Sequence, residues 1–187
     1  MTTRTPVCEL LRIDHPIVEA PLSGDPHLPA AVSNAGGLGT LGLGWADDAG
    51  DIVRQTASLT DKDVVVPSNP VSLDAQGKLV HLLPAGQSSG EVVAGWLPAG
   101  AHLAMAFGTM SAGLFESSGN RPPERAVLFF ATDDDSAGEE VERLIRTAGF
   151  EPIKAGGLEQ SSRLEVGGDL HDLVVGPAEA RSLMDAA

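Results

Sequence analysis

Ser68, Asn69 and Pro70 follow the apolar run Val64, Val65 and Val66, and Phe107, Gly108 and Thr109 close a second apolar run, AHLAMAF. Each stretch sits at the end of a predicted strand, the edge where open α/β sheets bind ligands. The Asn69 carboxamide can donate and accept hydrogen bonds, and Gly108 lets a ligand approach the backbone closely. Asn69 and Pro70 fit a plain turn equally well. A third candidate is GLGTLG, where Gly37, Gly39 and Gly42 make a G-x-G-x-x-G with Asp61 about 20 residues further on. That pattern grips a pyrophosphate only where a strand leads into the first glycine and a helix opens by the third. Here a helical stretch, AAVSNAG, precedes the glycines, and the next helix is not expected before Ala46. These glycines are therefore read mainly as close packing.

Other reactive residue types carry less. Thr132 and the three aspartates after it offer carboxylates, but Asp134, Asp135 or Ser136 would cap the following helix, whose first turn favours acids. The five histidines, at 15, 27, 81, 102 and 171, are not at ligand spacing, so no metal site is expected. Cys8 is the only cysteine, which excludes an internal disulfide and a cysteine metal cluster. No catalytic residue is assigned.

The elements that would position these groups alternate. CELLRI reads as a short helix, IVEA as a strand, AAVSNAG as a helix stopped by Gly36 and Gly37, LGTLGLG as a small-residue strand, and DAGDIVRQTASL as an amphipathic helix. From Val64 the order is a buried strand, a long polar loop, a helix opened by Ser88 and Glu91 as a capping box, and the strand AHLAMAF. A strand, a crossover helix and a second strand imply parallel pairing. RAVLFFAT, SAGEEVERLIRTAG, FEPIKAGGL and PAEARSLMDA then read as strand, helix, strand and helix, with RLEVGGDLHDL irregular between the last two.

Hydrophobic residues make up 42% of the 187 residues and charged residues 20%, a globular balance, and the net charge of −14 argues against nucleic-acid or anionic-membrane partners. The N-terminal residues lack the apolar core of a signal peptide, and no apolar run reaches the roughly 18 residues of a membrane span. A cytoplasmic location is expected.

Two resemblances emerge from these stretches. SNPVSLDAQGKLVHLLP, SSGEVVAGWLPAGAH, AFGT, RAVLFFATDDD and AGGLEQSSRLEVGGDLH, within residues 63–173, resemble the later part of NADPH-dependent deazaflavin (coenzyme F-420) reductase-like oxidoreductases. That resemblance implies that Ser68, Asn69, Pro70, Phe107, Gly108 and Thr109 lie near a nicotinamide. CELLRIDHPIVEAPLSG, LPAAVSNAGGLGTLGLGW and LTDK, within residues 5–62, are similar to the start of nitronate monooxygenases, FMN-dependent (β/α)₈ barrels. That resemblance implies a turn at Ala20, Pro21 and Leu22 beside a flavin.

The expected fold is α/β, with a mostly parallel, Rossmann-like sheet of five or six strands. It would be assembled from a partial barrel start (residues 1–62) and a partial nucleotide-binding-type domain (63–187), as one compact unit. The expected function is that of a reductase-like oxidoreductase with weak or absent NADPH binding. The alternatives are an FMN-dependent nitronate-oxidising enzyme and a catalytically silent fusion or gene remnant. FMN is not expected to be retained, because only two βα units of the barrel are present and the phosphate site of such barrels comes late. A homodimer is the expected partner state.

Overall fold

Residues 5–20, 24–43, 48–62, 64–67 and 69–185 are described by the structure, a computed structural model. Pro21, Leu22 and Ser68 lie outside them. The chain forms two compact units, one of Met1–Asp63 with Val93–Ala101 and one of Val64–Val92 with His102–Ala187.

The first unit holds α1 (Pro6–Leu11), α2 (His27–Asn34) and α3 (Ala49–Leu59). Pro6 opens α1, where its missing N–H costs nothing. Gly36 and Gly37 end α2 as the sequence predicts. Gly36, at φ +86°, donates to Ser33 O at 3.0 Å, and Gly37 donates to Val32 O at 2.9 Å. These are the two bonds of a Schellman motif, which needs a left-handed residue just past the helix. Asn34 ties α2 to α3: its Nδ2 donates to Leu59 O at 2.7 Å, and its Oδ1 accepts from Thr60 Oγ1 at 2.8 Å.

The two strands expected here shrink to one parallel bridge, Val18 with Leu38. Leu38 N–H bonds Ile17 O, and Glu19 N–H bonds Leu38 O, each at 2.9 Å. Glycine-rich LGTLGLG supplies few side chains to hold a longer ladder. The expected order of elements therefore survives with only a stub of sheet.

The second unit contains β1 (Val64–Val66), β2 (Val71–Leu73), β3 (Leu79–His81), most of α4 (Ser89–Ala94), whose last two residues count with the first unit, β4 (Leu103–Met105), α5 (Ala112–Ser118), β5 (Val127–Ala131), α6 (Asp135–Thr147), β6 (Glu151–Gly156) and α7 (Pro177–Asp185). A 3₁₀ helix, Leu158–Arg163, follows β6. Among the described residues its main sheet has four strands, not five or six, in the order β1-β4-β5-β6. β1 pairs with β4 and β5 with β6 in parallel, while β4 and β5 meet antiparallel at Met105 and Ala131 alone. The sheet is mostly parallel, as expected. All five side chains of β5 are buried, which explains its unbroken apolar run. Leu128 and Phe130 point to one face and pack with Val141 and Ile145 of α6 and with Phe150.

The stretch read as a long polar loop is instead an antiparallel hairpin, β2 with β3, in register Val71–His81 and Leu73–Leu79. Its turn is closed by Asp74, whose Oδ1 accepts from the N–H groups of Gln76 (2.9 Å) and Lys78 (2.8 Å), and by Gly77 at φ +76°. Its apolar side chains stand in solvent: Leu73 is 65% exposed, Leu79 51% and Leu82 62%.

Asp134 is the N-cap of α6. Its Oδ1 accepts from Ala137 N–H at 2.8 Å and from Ser136 Oγ at 2.5 Å, and its Oδ2 lies 2.8 Å from His102 Nδ1. The Ser136 hydroxyl, then the Ala137 amide and His102, hold its carboxyl well below the usual carboxylate range. A carboxyl depressed on folding stabilises the protein above its unfolded pKa of about 4 and loses that contribution as pH falls towards the folded value. Asp134→Ala is therefore expected to lower the thermal midpoint by a few degrees at neutral pH. Melts repeated at decreasing pH should show the gap to the parent narrowing below about pH 4. An unchanged gap would mean that the carboxylate charge contributes nothing to the cap.

Candidate functional site

Strands β1 and β4 end side by side, and a small cavity opens where they do. It is lined by Val66 and Met105 from the strands, by Asn69, Gly108 and Thr109 from the loops after them, and by Ser161, Leu164 and Glu165 from beyond β6. Three residues singled out in the sequence, Asn69, Gly108 and Thr109, thus share one wall. The cavity has about 10 Å³ of room, roughly one water molecule.

Asn69 is committed to the fold. Its Nδ2 donates to Gly108 O at 2.8 Å, and its Oδ1 accepts from Val166 N–H at 2.8 Å. One carboxamide thus ties the loop after β4 to the segment after the 3₁₀ helix. Gly108 is closely approached by its own neighbours, since a Cβ there would lie 3.1 Å from Pro67 O. Phe107 takes φ +66°, uncommon for an aromatic residue. Its ring sits 6.2 Å from Phe115, which in turn stacks on Phe150 at 4.7 Å. Pro70 is half-buried, and its carbonyl accepts from Leu82 N–H at 2.8 Å at the base of the hairpin.

The remaining wall is a buried polar cluster that the sequence reading passed over. Glu165 is only 3% exposed. Its Oε1 accepts from Ser89 N–H at 2.8 Å, Ser89 Oγ at 2.5 Å and Ser161 Oγ at 3.3 Å. Its Oε2 lies 3.5 Å from Nε2 of the half-exposed His81. Ser161 also accepts from Gly90 N–H at 2.9 Å, and Ser88 donates to Leu158 O at 3.0 Å. The Ser88-Ser89-Gly90 start of α4 is thereby pinned to the 3₁₀ helix. Gly90 has no room for a side chain, as a Cβ would come within 2.8 Å of Leu158 O. Half of the capping box forms, with Glu91 N–H bonded to Ser88 Oγ at 3.2 Å, while the Glu91 carboxylate accepts from the Ser88 hydroxyl at 2.9 Å. One signal for Glu165 was readable: it stands between Leu164 and Val166 in an otherwise polar tract.

The glycines of GLGTLG belong to the first unit. Gly37 spends its N–H on Val32, and Gly39 donates to Ser33 Oγ at 3.1 Å. A Cβ on Gly39 would fall 2.0 Å from Pro29 O. Helix α2 lies before these glycines, and the next helix begins at Ala49, seven positions beyond Gly42. Among the described residues no helix N-terminus follows the turn at the spacing a pyrophosphate requires. The aspartate run is likewise used within the fold: Asp133 accepts from Leu158 N–H at 3.2 Å, and Asp134 caps α6. Among the described residues no cluster of three or more metal-ligating side chains occurs, and no helix is long and apolar enough to cross a membrane.

Comparison with known proteins agrees with both resemblances. No family model matches the chain. A nitronate monooxygenase of Paraburkholderia phytofirmans is 51% identical over 65 residues, 33% of this chain and 18% of that protein. A probable nitronate monooxygenase of Staphylococcus aureus is 40% identical over 76 residues, 36% of this chain and 21% of that protein. The chain thus spans about a fifth of the length of these curated relatives. Among solved structures, a hypothetical protein of Sinorhizobium meliloti matches with a TM-score of 0.56 and 27% identity over 79% of both chains. A putative F420-dependent NADP-reductase of an Arthrobacter species matches with a TM-score of 0.50 and 21% identity, over 59% of this chain and 51% of the other. The second unit therefore has a Rossmann-like α/β fold, and the named relatives of both segments are oxidoreductases.

Proposed function

We propose that the chain is an oxidoreductase-related protein that keeps the later half of a deazaflavin-reductase-like Rossmann fold and binds a nicotinamide dinucleotide weakly or not at all. The observation that carries this reading is the closure of the strand-end site on itself. Asn69 is held by Gly108 and Val166, and the cavity beside it has room for about one water. Ligand pockets usually enclose about 300–1,000 Å³, so this cavity does not fit a nicotinamide ring. The few polar groups left would contribute about 0.5–1.5 kcal/mol each, against an association cost of roughly 4–15 kcal/mol. Calorimetric titration with NADPH is expected to give a Kd no tighter than about 1 mM. Micromolar binding would overturn the proposal.

FMN-dependent nitronate oxidation is the second reading, favoured by the 51% identity to a nitronate monooxygenase in the 65-residue match. The purified protein is expected to lack stoichiometric flavin absorbance, because the matched length is so small a part of the barrel. A yellow protein would reverse the order of the two readings. A catalytically silent fusion or remnant remains the outcome if neither cofactor binds.

Self-association belongs to the same proposal, with the β2–β3 hairpin as its seat and a second copy as its occupant. An isolated two-stranded ribbon is marginal in water, and this one exposes Leu73, Leu79 and Leu82. Its turn carries one negative and one positive charge, Asp74 and Lys78, in a chain of net charge −14. Two copies can therefore meet here with less repulsion than elsewhere. Leu73→Glu combined with Leu79→Glu should shift light scattering from dimer to monomer. A parent protein that is monomeric over a wide concentration range would end this proposal.

A further inference from the structure

Two buried polar atoms have no hydrogen-bond partner among the described residues, Thr109 Oγ1 and Glu165 Oε2. Both residues are only 3% exposed, and both line the cavity at the ends of β1 and β4. Nothing else among the described residues of the second unit combines unmet buried polarity with adjoining space.

The chemistry of the two atoms defines what they lack. Glu165 Oε2 is a carboxylate oxygen and wants a donor. The carboxylate cannot turn to find one, because Oε1 is fixed by Ser89 N–H, Ser89 Oγ and Ser161 Oγ. His81 Nε2, at 3.5 Å, is too far for a good hydrogen bond. Thr109 Oγ1 can both donate and accept. A buried polar group left unpaired is costly, so native proteins meet such needs with protein groups or internal water. A cavity of about 10 Å³ is at the lower limit for one water. Two polar partners meet the minimum such a water requires.

We propose that this cavity is a one-molecule donor site, holding a single water that donates to Glu165 Oε2 and bonds Thr109 Oγ1. A ligand tip could take its place only if it were equally small and carried a donor, such as an ammonium or hydroxyl group. The site shares its cavity and Thr109 with the nicotinamide reading, but it binds its water through neither Asn69 nor the Gly108 carbonyl.

The test is a crystal structure of the full chain at a resolution that shows ordered water, paired with water-to-amide NMR magnetisation transfer at Thr109 and Glu165. The expected result is one density peak within hydrogen-bond distance of both atoms, with a transfer signal from long-lived water. Thr109→Val preserves the shape and removes the hydroxyl, so the peak and the transfer signal should be lost. Thr109→Ser keeps the hydroxyl and should retain both. A dry cavity in the parent would overturn the proposal, as would a water touching only one of the two atoms. Full retention of the water in Thr109→Val would overturn it equally. If Thr109→Val does not fold, the parent structure and Thr109→Ser still decide.

Discussion

Gly39→Val is expected to unfold the packing of the first unit whether or not any nucleotide binds there. A Cβ at this position would sit 2.0 Å from Pro29 O, 2.6 Å from Ser33 Oγ and 2.7 Å from the Pro29 carbonyl carbon. Two of these are backbone atoms of α2, so no rotamer change relieves the overlap. Ordinary overpacking costs about 1–3 kcal/mol, and an overlap this deep against backbone lies beyond that range. The Gly39 N–H bond to Ser33 Oγ and the neighbouring ladder from Leu38 would go with it. Hydrogen exchange across α2 and residues 36–40 should become fast, while β5 and α6 stay protected. Unchanged protection of α2 would show that the helix can move aside. This outcome bears on function as well: loss of nucleotide binding in Gly39→Val would not reveal a phosphate loop. Asp61→Ala is the cleaner probe, since Asp61 is exposed and pairs only with its neighbour Lys62 among the described ion pairs.

Glu165→Ala is expected to be the most damaging single truncation outside the apolar core. It removes the acceptor of three donors at once, two of them from Ser89 and one from Ser161. Each buried donor left unsatisfied by the deletion costs about 1–3 kcal/mol. Glu165→Gln keeps an oxygen for Ser89 and should cost about 1 kcal/mol or a little more. Urea unfolding of the three proteins, compared at their midpoints, separates these values. If the Ala and Gln variants were equally stable, the serine donors would have found other acceptors, and Glu165 would not be what holds α4 to the 3₁₀ helix.

Much of the second unit was readable because its signals are local. The buried run at 127–131 could only be an interior strand, and an acid before a helical pattern at 134 could only be useful as a cap. The hairpin was missed for an equally physical reason. Its strands are three residues each, preceded by Pro67 and Pro70, and too short to establish a period. Asp74 and Gly77 did carry the turn signal, since a short side-chain acceptor followed by a residue free to take positive φ closes a tight loop. Glu165 was harder to see. Its partners lie 76 and four positions away along the chain, and no pattern in one dimension pairs Ser89 with it. Asn69 shows the opposite case. Its position at a strand end was legible, but its use was not, because Gly108 and Val166 become its neighbours only in the fold. In the first unit the glycines were read mainly as close packing, and the Gly37 amide finishes α2 while the Gly39 amide bonds Ser33 Oγ.

The division of the chain into its units has a consequence for how it can be cut or could have been joined. The backbone passes from one unit to the other after residues 63, 92 and 101. No single scission therefore yields two self-sufficient halves. A fragment ending at Asp63 would lose Trp96, against whose indole Gly50 packs so closely that a Cβ there would come within 2.9 Å of Nε1. A fragment beginning at Val64 would carry nine orphaned residues in its middle. Any genetic splice near residue 62 would likewise have had to recruit an inner segment of the recipient to complete the donor, and its seam in sequence would not coincide with the seam in three dimensions. A two-plasmid complementation assay split at 63 should consequently restore soluble protein only when both pieces are co-expressed, whereas relocating 93–101 onto the N-terminal piece should let it stand alone.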